Sequence, residues 1–325
     1  MENRYDLVIV GSGLGGLACG VFFAKEGYKV CVLERNKQIG GNLQTFARDK
    51  IIFDSGVHYV GGLGEGQNLH RIFRYLEIMD KLKIRKMDED IVDEIVFGAD
   101  PKTYRHAQGY ERFVRNLADD FPGEEENLRK YCNEIRRICQ KFPLYNLRSG
   151  DAFEKNDVLG IDTRTFLESV TENKKLQNVL AGSNLLYAGE GYKTPLYVHA
   201  LIINSYIEGS YRFVDGGSQI ARLLTRQIRN RQGDVKTGTQ VVKLVEQNGC
   251  LEYAECAKGE RYYGKLFISN AHPAKTLEMI ESDLIKKIYR SRIKGLANSI
   301  SVFSVNIVMK KNKFKYLNHN IYYFE

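Results

Sequence analysis

The feature that most constrains the fold is a glycine-rich turn near the start of the chain, between two apolar segments. Residues 5–10 are a short apolar run rich in β-branched residues, and Gly11, Gly13 and Gly16 follow in the spacing G-x-G-x-x-G. The next segment has helical periodicity, and residues 29–34 resemble a second strand. The pattern predicts a βαβ unit whose turn binds the phosphates of a dinucleotide at the N-terminus of the helix.

The helix after the turn has further features of a dinucleotide site, which are small residues on one face and a glycine at its end. Gly13 lets the backbone approach a pyrophosphate without a Cβ in the way, and Gly16 lets the helix lie close to the sheet. Gly20 and Ala24 continue from Gly16 along one helix face, so small residues cover the side that must pack on the strands. Gly27 then ends the helix. Together these residues favour a dinucleotide site over a glycine turn without a ligand.

Residues after the second strand narrow the choice of dinucleotide. Glu34 follows Gly11 at close to the spacing of about 20 residues expected for a carboxylate that bonds an adenosine ribose and repels a 2′-phosphate. Gly40 and Gly41 add backbone amides beside the pyrophosphate, which suits FAD, whereas NAD sites do not need them. We therefore predict an FAD site. Its contacts are expected at Gly11, Ser12, Gly13, Leu14, Gly15, Gly16, Glu34, Arg35, Gly40, Gly41, Asn42 and Leu43.

Several stretches share a pattern with one family. Residues 5–43, and residues 53–61 with the sequence FDSGVHYVG, resemble the FAD-dependent phytoene desaturase, carotenoid isomerase and retinol saturase group. Residues 121–125 are similar to a helix-entry segment of that group, and residues 268–271 to a strand end of its flavin domain. Within that group, residues 199–218 resemble the retinol saturase branch most closely. The residues that carry this resemblance are His199, Ala200, Leu201, Tyr206, Gly209, Tyr211, Gly216, Gly217 and Ser218.

The resemblance implies an α/β fold. It would consist of a doubly wound, Rossmann-like FAD-binding domain of the GR2 type with an inserted α+β substrate domain. Residues 1–66 would form the FAD-binding βαβ unit and flavin loop, and residues 67–214 the inserted substrate domain. Residues 215–280 would return to the FAD-binding domain, and residues 281–325 would begin the substrate-domain sheet.

The resemblance also implies further site residues. Additional FAD contacts would come from Gly56, Val57, His58, Val241, Val242, Asn270 and Ala271. No serine–histidine–aspartate set or carboxylate pair is needed, because the flavin carries the redox chemistry. The candidates for a proton donor are His58, His199 and Tyr206. A structural histidine that closes a turn is an equal interpretation of His58.

Two departures from the family pattern bear on these expectations. Val214 and Asp215 stand where the saturase branch usually has a proline before the double glycine, here Gly216 and Gly217. The family also continues into a second glycine-rich segment that flanks the flavin ring, and none occurs before Glu325. A non-catalytic FAD-binding fragment is therefore an alternative to an enzyme.

The function that the resemblance implies is an FAD-dependent oxidoreductase acting on a carbon–carbon double bond of a long apolar polyene or isoprenoid. Saturation of one double bond of retinol or a similar polyene is the nearest reaction. Desaturation or isomerisation of a carotenoid precursor is the runner-up within the same class. An NAD-dependent dehydrogenase is a third hypothesis, which Gly40 and Gly41 disfavour.

Composition argues against several other classes. The six cysteines include no C-x-x-C, and no histidine pairs with cysteine at ligand spacing, so neither a disulfide-reducing flavoenzyme nor a metal site is expected. The net charge of +8 arises partly from helical segments with interleaved acids, which argues against nucleic acid as a partner. The cluster within residues 286–294 is less balanced and would suit peripheral contact with an anionic membrane. The sequence shows neither a long apolar run nor a signal peptide, so we expect a cytoplasmic protein.

Periodicity predicts the remaining elements. Residues 61–66 are expected to form a flexible loop near the substrate mouth. Helices are expected over residues 68–82, 109–119, 124–141, 163–180, 197–207 and 217–230. Strands are expected over residues 51–54, 91–97, 103–106, 241–245, 250–257, 261–263, 265–269, 301–309 and 318–325.

Overall fold

A computed structural model describes residues 3–98 and 100–325 of the chain. Its strands are β1 (Asn3–Val10), β2 (Val30–Leu33), β3 (Thr45–Arg48), β4 (Ile51–Asp54), β5 (Tyr59–Gly61), β6 (Ile84–Lys86), β7 (Asp93–Phe97), β8 (Thr103–His106), β9 (Ser210–Phe213), β10 (Asp234–Lys236), β11 (Val241–Gln247), β12 (Cys250–Cys256), β13 (Arg261–Ser269) and β14 (Asn320–Phe324). Its helices are α1 (Leu14–Lys25), α2 (Asn68–Tyr75), α3 (Tyr110–Asp120), α4 (Glu125–Gln140), α5 (Thr163–Val170), α6 (Lys174–Leu180), α7 (Leu196–Glu208), α8 (Ser218–Asn230), α9 (Pro273–Met279) and α10 (Lys287–Lys294).

The chain divides into two compact units. The first comprises Met1–His58, Phe73–Lys83 and Phe213–Asn298, and the second Tyr59–Ile72, Ile84–Arg212 and Ser299–Glu325. Residues 59–66 were expected in the flavin domain and residues 73–83 in the insertion. The structure places each segment in the other unit, because β5 pairs with β9, and residues 75 and 77 bond to α1 and α8.

A six-stranded sheet organises the first unit, in the order β10-β2-β1-β13-β12-β11. The first four strands are parallel, and β12 is antiparallel to both of its neighbours. Residues 261–263 and 265–269, predicted as separate strands, form the single strand β13, because one edge pairs with β1 and the other with β12. The predicted Rossmann-like arrangement is confirmed.

Small residues let α1 pack on this sheet beside α8. A Cβ added at Gly20 would lie 2.7 Å from Ile228 Cδ1 and 3.4 Å from a Val32 methyl carbon. Leu7, Val8 and Ile9 of β1 are fully buried, as expected for a parallel strand covered on both faces. The small inner face predicted for α1 is therefore required for the close helix–sheet contact.

The second unit is mainly helical. Helices α3, α4, α5, α6 and α7 surround one apolar core, in which Tyr131 and Phe113 are among the largest buried side chains. Two three-stranded sheets, β14-β7-β8 and β5-β9-β6, belong to this part of the chain. The predicted hairpin of residues 91–97 and 103–106 is confirmed as β7 and β8.

Two predicted helices are shorter in the structure. The helix predicted over residues 68–82 ends at Tyr75, since Glu77 has a φ of +58°, outside the right-handed helical region. The helix predicted over residues 163–180 is two helices, α5 and α6. Asn173 separates them by accepting a hydrogen bond from Leu176 N–H at 3.1 Å and so capping α6.

The strand predicted over residues 301–309 is wrong for this structure. These residues have no strand conformation, and among the described residues no backbone hydrogen bond joins them to a sheet. Alternating apolar residues require a partner strand and a face to cover, whereas Phe303 is 91% exposed. The next predicted strand is confirmed as β14, which pairs in parallel with β7.

Candidate functional site

The glycine turn between β1 and α1 presents an open helix N-terminus. α1 begins directly after Gly13, no side chain caps it, and its first turn has no acidic residue. The first N–H groups of a helix have no partner within the helix, and the helix dipole places partial positive charge there. This end of α1 can therefore bind an anionic group.

The second pair of glycines lies against the same turn. Gly13 and Gly40 form an isolated parallel bridge, and a Cβ added at Gly41 would lie 3.2 Å from Gly13 Cα. Gly40 and Gly41 have φ angles of +111° and +55°, which glycine adopts without strain. The two glycine segments that the sequence linked to a pyrophosphate thus form one backbone surface.

Glu34 helps to hold the two glycine segments together through hydrogen bonds with Ser12. One carboxylate oxygen accepts hydrogen bonds from the Ser12 N–H at 3.0 Å and the Ser12 hydroxyl at 2.6 Å. The other accepts from the Asn36 N–H at 2.9 Å, and the Gly40 N–H donates to Ser12 Oγ at 3.1 Å. Sequence reasoning gave Glu34 only a role toward the ribose. Its role in fixing the turn through Ser12 was missed, because the motif leaves the identity of residue 12 open.

Asn270 follows the C-terminal end of β13 and lies over the turn. A Cβ at Gly13 would be 2.8 Å from Asn270 Nδ2, and one at Gly15 would be 2.9 Å from Oδ1. The Asn270 N–H donates to the Val10 carbonyl at 2.8 Å, which holds this strand end beside the turn, with Ala271 next in the chain. The structure therefore brings the distant residues 270–271 to the predicted phosphate site.

The predicted flavin loop packs beside the second glycine pair. The Val57 N–H donates to the Asn42 carbonyl at 3.2 Å, and a Cβ at Gly56 would lie 3.0 Å from the same oxygen. Leu43, the next residue after Asn42, is buried. His58 is exposed, and its Nδ1 lies 3.2 Å from the Gly56 carbonyl oxygen. Both interpretations of His58 remain compatible with this position.

The segment before β11 reaches the end of β2. The Thr239 N–H donates to the Glu34 carbonyl at 2.8 Å. Arg35 is exposed at this edge, Val241 is buried in the core of the sheet, and Val242 is 39% exposed. The structure thus places the start of β11 near the residue predicted to bind the ribose, while the Val241 side chain serves packing.

His199 lies inside the helical core of the second unit. It is fully buried, with Nε2 2.8 Å from the Tyr131 hydroxyl and Nδ1 2.8 Å from the Tyr187 hydroxyl. Burial lowers the pKa of His199 to about 3, so the ring is neutral, and one tyrosine must donate to it while the other accepts. This arrangement satisfies both nitrogens and gives His199 a role in holding the core together.

Tyr206 lies in a second polar cluster of the same unit. Its ring centroid is 4.8 Å from that of Tyr59, whose hydroxyl is 2.6 Å from the Tyr322 hydroxyl. Burial raises the pKa of the neighbouring Asp93 carboxyl to about 6, although Asn320 donates to it at 2.8 Å. Asp93 was not among the residues expected from the sequence, and the available signal was that it stands beside Glu94 within a predicted strand whose other residues are apolar.

No helix within the described residues is long and apolar enough to cross a bilayer. The same residues contain no cluster of three or more histidine, cysteine or carboxylate side chains arranged to hold a metal ion.

Comparisons with known proteins extend these observations. Residues 9–76, which begin at the end of β1 and include α1 and β2, match the family described as NAD(P)-binding Rossmann-like domain. The chain is 29% identical over 304 residues to human all-trans-retinol 13,14-reductase, covering 86% of this chain and 49% of the reductase. It is 25% identical over 289 residues to a chloroplastic prolycopene isomerase of an Oncidium hybrid cultivar, covering 83% of this chain and 48% of the isomerase.

A solved structure shares the fold. An oxidoreductase from Methanosarcina mazei superposes with a TM-score of 0.67 at 19% identity, covering 90% of this chain and 65% of that one. The chain spans about half the length of the curated relatives it matches.

Proposed function

We propose, from the premise that this chain is related to the all-trans-retinol 13,14-reductases and prolycopene isomerases, that it is an FAD-dependent oxidoreductase acting on a carbon–carbon double bond of a polyene. The observation that carries the proposal is the joined surface of Gly13, Gly40 and Gly41 at the open N-terminus of α1. The similarity to the human reductase over 86% of this chain supports the same conclusion.

FAD fits the residues at this site. A side chain on Gly13 would meet the Asn270 amide and one on Gly41 would meet Gly13 Cα, so glycine is needed for these segments to lie together beside a pyrophosphate. The first turn of α1 offers N–H donors without a competing carboxylate. Glu34 would orient the ribose while it holds Ser12 in place. Asn270 would offer its amide to the phosphates. Bound FAD would supply hydride transfer, and the chain itself would bind, orient and exclude water.

Saturation of one double bond of retinol or a related polyene is the reaction we propose first. Desaturation stays within the same class of carbon–carbon chemistry. Isomerisation is the second candidate, favoured by the 25% identity to prolycopene isomerase. The two can be separated by product mass, because saturation adds two hydrogens and isomerisation adds none. A polyene partitions into lipid, so we propose a cytoplasmic protein that meets its substrate at a membrane surface.

Saturation also requires a proton, and His58 is the candidate that the structure supports best. It is exposed and adjoins the Gly56 turn, whereas His199 is fully buried with both ring nitrogens hydrogen-bonded. We propose that His58 transfers this proton. His58→Gln should then slow product formation while leaving flavin content unchanged. Loss of flavin together with activity would instead indicate that His58 serves cofactor binding.

The first experiment is a visible spectrum of the purified protein, followed by chromatography of the cofactor released on denaturation. We expect stoichiometric FAD. Anaerobic incubation of the chemically reduced protein with all-trans-retinol, and separately with prolycopene, then distinguishes a product two hydrogens heavier from a geometric isomer. A colourless protein that also does not bind added FAD would contradict the proposal and favour the alternative of a non-catalytic module.

A further inference from the structure

The net positive charge of the chain is concentrated in its last segment. Residues 284–325 contain nine of the 48 lysines and arginines but only one of the 40 acidic residues. The preceding 283 residues are consequently neutral overall, with 39 charges of each sign. Five of the nine cations fall within residues 286–294, where no acidic residue occurs. The charge of +8 is therefore a local property of one region.

The first part of this region, residues 284–296, forms the short helix α10 and its flanks within the first unit. No residue of α10 is buried. Its exposed apolar side chains include Ile288, which is 78% exposed, and Tyr289, while Leu284 and Leu296 are exposed on either side. Apolar and cationic side chains thus share the exposed surface of one segment.

A single arginine fixes this helix to the rest of the unit. Arg290 donates to the carbonyls of Leu277 at 2.6 Å and Ile280 at 2.8 Å, and more weakly to that of Ser282 at 3.2 Å. These three carbonyls belong to the end of α9 and the residues after it, so α10 is held against α9. Arg290 is thus one of the five cations, and it is held by these hydrogen bonds. The other four are exposed to solvent.

Those other cations, Lys286, Lys287, Arg292 and Lys294, form no ion pair in the described part of the chain. Glu278 pairs with Lys275 at 2.8 Å, and Glu281 pairs with Lys243 at 3.3 Å. Lys275 lowers the pKa of the Glu278 carboxyl, and Lys294 lies near enough to help lower it. Asp283 immediately precedes the segment. The surface can therefore attract an anionic partner.

We propose that residues 284–296 are a docking surface for an anionic lipid bilayer. Cations near a membrane surface each contribute about 1 kcal/mol toward binding anionic lipid, and exposed apolar side chains beside them enter the headgroup region. A nucleic acid would bind the cations through its phosphates, but its binding would not account for the exposed side chains of Leu284, Ile288 and Leu296. This proposal can be tested independently of the proposed redox activity, because vesicle binding requires no turnover.

The test is co-sedimentation of the protein with phosphatidylcholine vesicles, with and without phosphatidylserine, at low and physiological salt. We expect binding only when phosphatidylserine is present, and weaker binding at the higher salt. The variant K287E/R292E/K294E should bind about a hundredfold more weakly. The variant I288S/L296S should lose about tenfold, because it removes the apolar contribution. The matched control K50E/K130E/K258E makes the same change in net charge at exposed lysines elsewhere and should bind normally.

Four results would overturn the proposal. The first is no sedimentation with anionic vesicles at low salt, and the second is equal loss of binding in the matched control. The third is tighter binding to single-stranded DNA than to vesicles, unchanged by I288S/L296S. The fourth is a concentration-dependent dimer that disappears in I288S/L296S while vesicles are not bound, which would assign the surface to a second copy. Circular dichroism melting of each variant identifies any that fails to fold, and the serine pair tests the surface independently of the charge reversal.

Discussion

Individual side chains at the glycine turn show what motif spacing can and cannot predict. The positions of Gly11, Gly13 and Gly16, and of Glu34 after them, follow from the backbone requirements of a phosphate-binding turn, so the sequence was enough to place them. The contact of Asn270 with the turn depends on the pairing of β13 with β1, and the spacing of residues 5–43 contains no information about that pairing. Residue 270 was indicated by resemblance to the family rather than by this spacing.

The substitution Gly13→Val should abolish FAD binding. The branched side chain would occupy the space between the turn and Asn270, where an added Cβ already lies 2.8 Å from Nδ2, and would exclude the pyrophosphate. The ratio of flavin to protein absorbance in the purified variant measures the effect. Gly160→Val is the matched control, since a Cβ there meets nothing within 4 Å and should leave flavin content normal. Normal FAD in Gly13→Val would show that the turn does not bind the cofactor.

Buried histidines should make the second unit sensitive to acid. Burial lowers the pKa of His199 to about 3 and that of His106 to about 4, from an ordinary value of 6.5. The unfolded chain therefore takes up these protons first, and stability is lost as the pH falls below about 6.5, by up to about 1.4 kcal/mol per pH unit for each histidine. Asp93 acts in the opposite direction, because its pKa is raised to about 6, and one carboxyl offsets part of the effect of two histidines.

Urea unfolding at neutral pH and at about pH 4.5 measures this dependence. His199→Gln should show a shallower loss of stability with acid than the unchanged protein, whatever its stability at neutral pH. Parallel slopes for the two proteins would mean that His199 binds protons equally in the folded and unfolded states.

Helices and strands were predicted well where the local sequence determines them. Helix α4 has acidic residues in its first turn and an arginine in its last, and its predicted bounds agree with the structure to within a residue. The two helices that were overextended end where a backbone feature intervenes, the positive φ of Glu77 and the capping side chain of Asn173. The strand predicted over residues 301–309 had the correct alternation, but alternation cannot specify a partner.

Hydrogen exchange should separate the two predicted strands near the C-terminal end. Amides of residues 301–309 should exchange rapidly, because none of them bonds to a neighbouring strand in the described part of the chain. Amides of β14 that bond to β7 should exchange far more slowly, and those of β8 on the other side of β7 provide an internal reference. Comparable protection of residues 301–309 and β14 would show that the former pair with a strand in solution.

The two units differ in how far sequence reasoning could reach. The first was predicted as a dinucleotide-binding fold from the βαβ unit with its glycine turn and from the resemblance to a family, whereas its strand order was not predicted. The second was assigned to substrate binding through the resemblance to a family, and its core depends on the tertiary packing of five helices, which local sequence does not specify. Residues 73–83 join the first unit through contacts such as Lys25 Nζ with the Tyr75 carbonyl at 2.8 Å, which no local pattern predicts.

Added FAD should stabilise the protein by mass action once the bound flavin has been removed. At a free concentration about a hundred times its dissociation constant, FAD should raise the free energy of unfolding by about 2.7 kcal/mol if it binds only the folded state. Thermal melting with and without FAD measures this, and hydrogen exchange should show new protection centred on residues 11–16 and 40–43. AMP in place of FAD should stabilise less, and Gly13→Val should not respond to FAD. Equal stabilisation by NADH would favour the dehydrogenase hypothesis.

The hydroxyl of Ser12 restricts which residue can stand between the first two glycines of the G-x-G-x-x-G motif. It donates to Glu34 and accepts from the Gly40 N–H, so it joins the end of the second strand to the second glycine pair. Ser12 is also fully buried, which leaves little room for a larger side chain. A residue at this position must be small and must both give and receive a hydrogen bond. The motif allows any residue at this position, but in this chain burial and the two hydrogen bonds allow almost no residue other than serine.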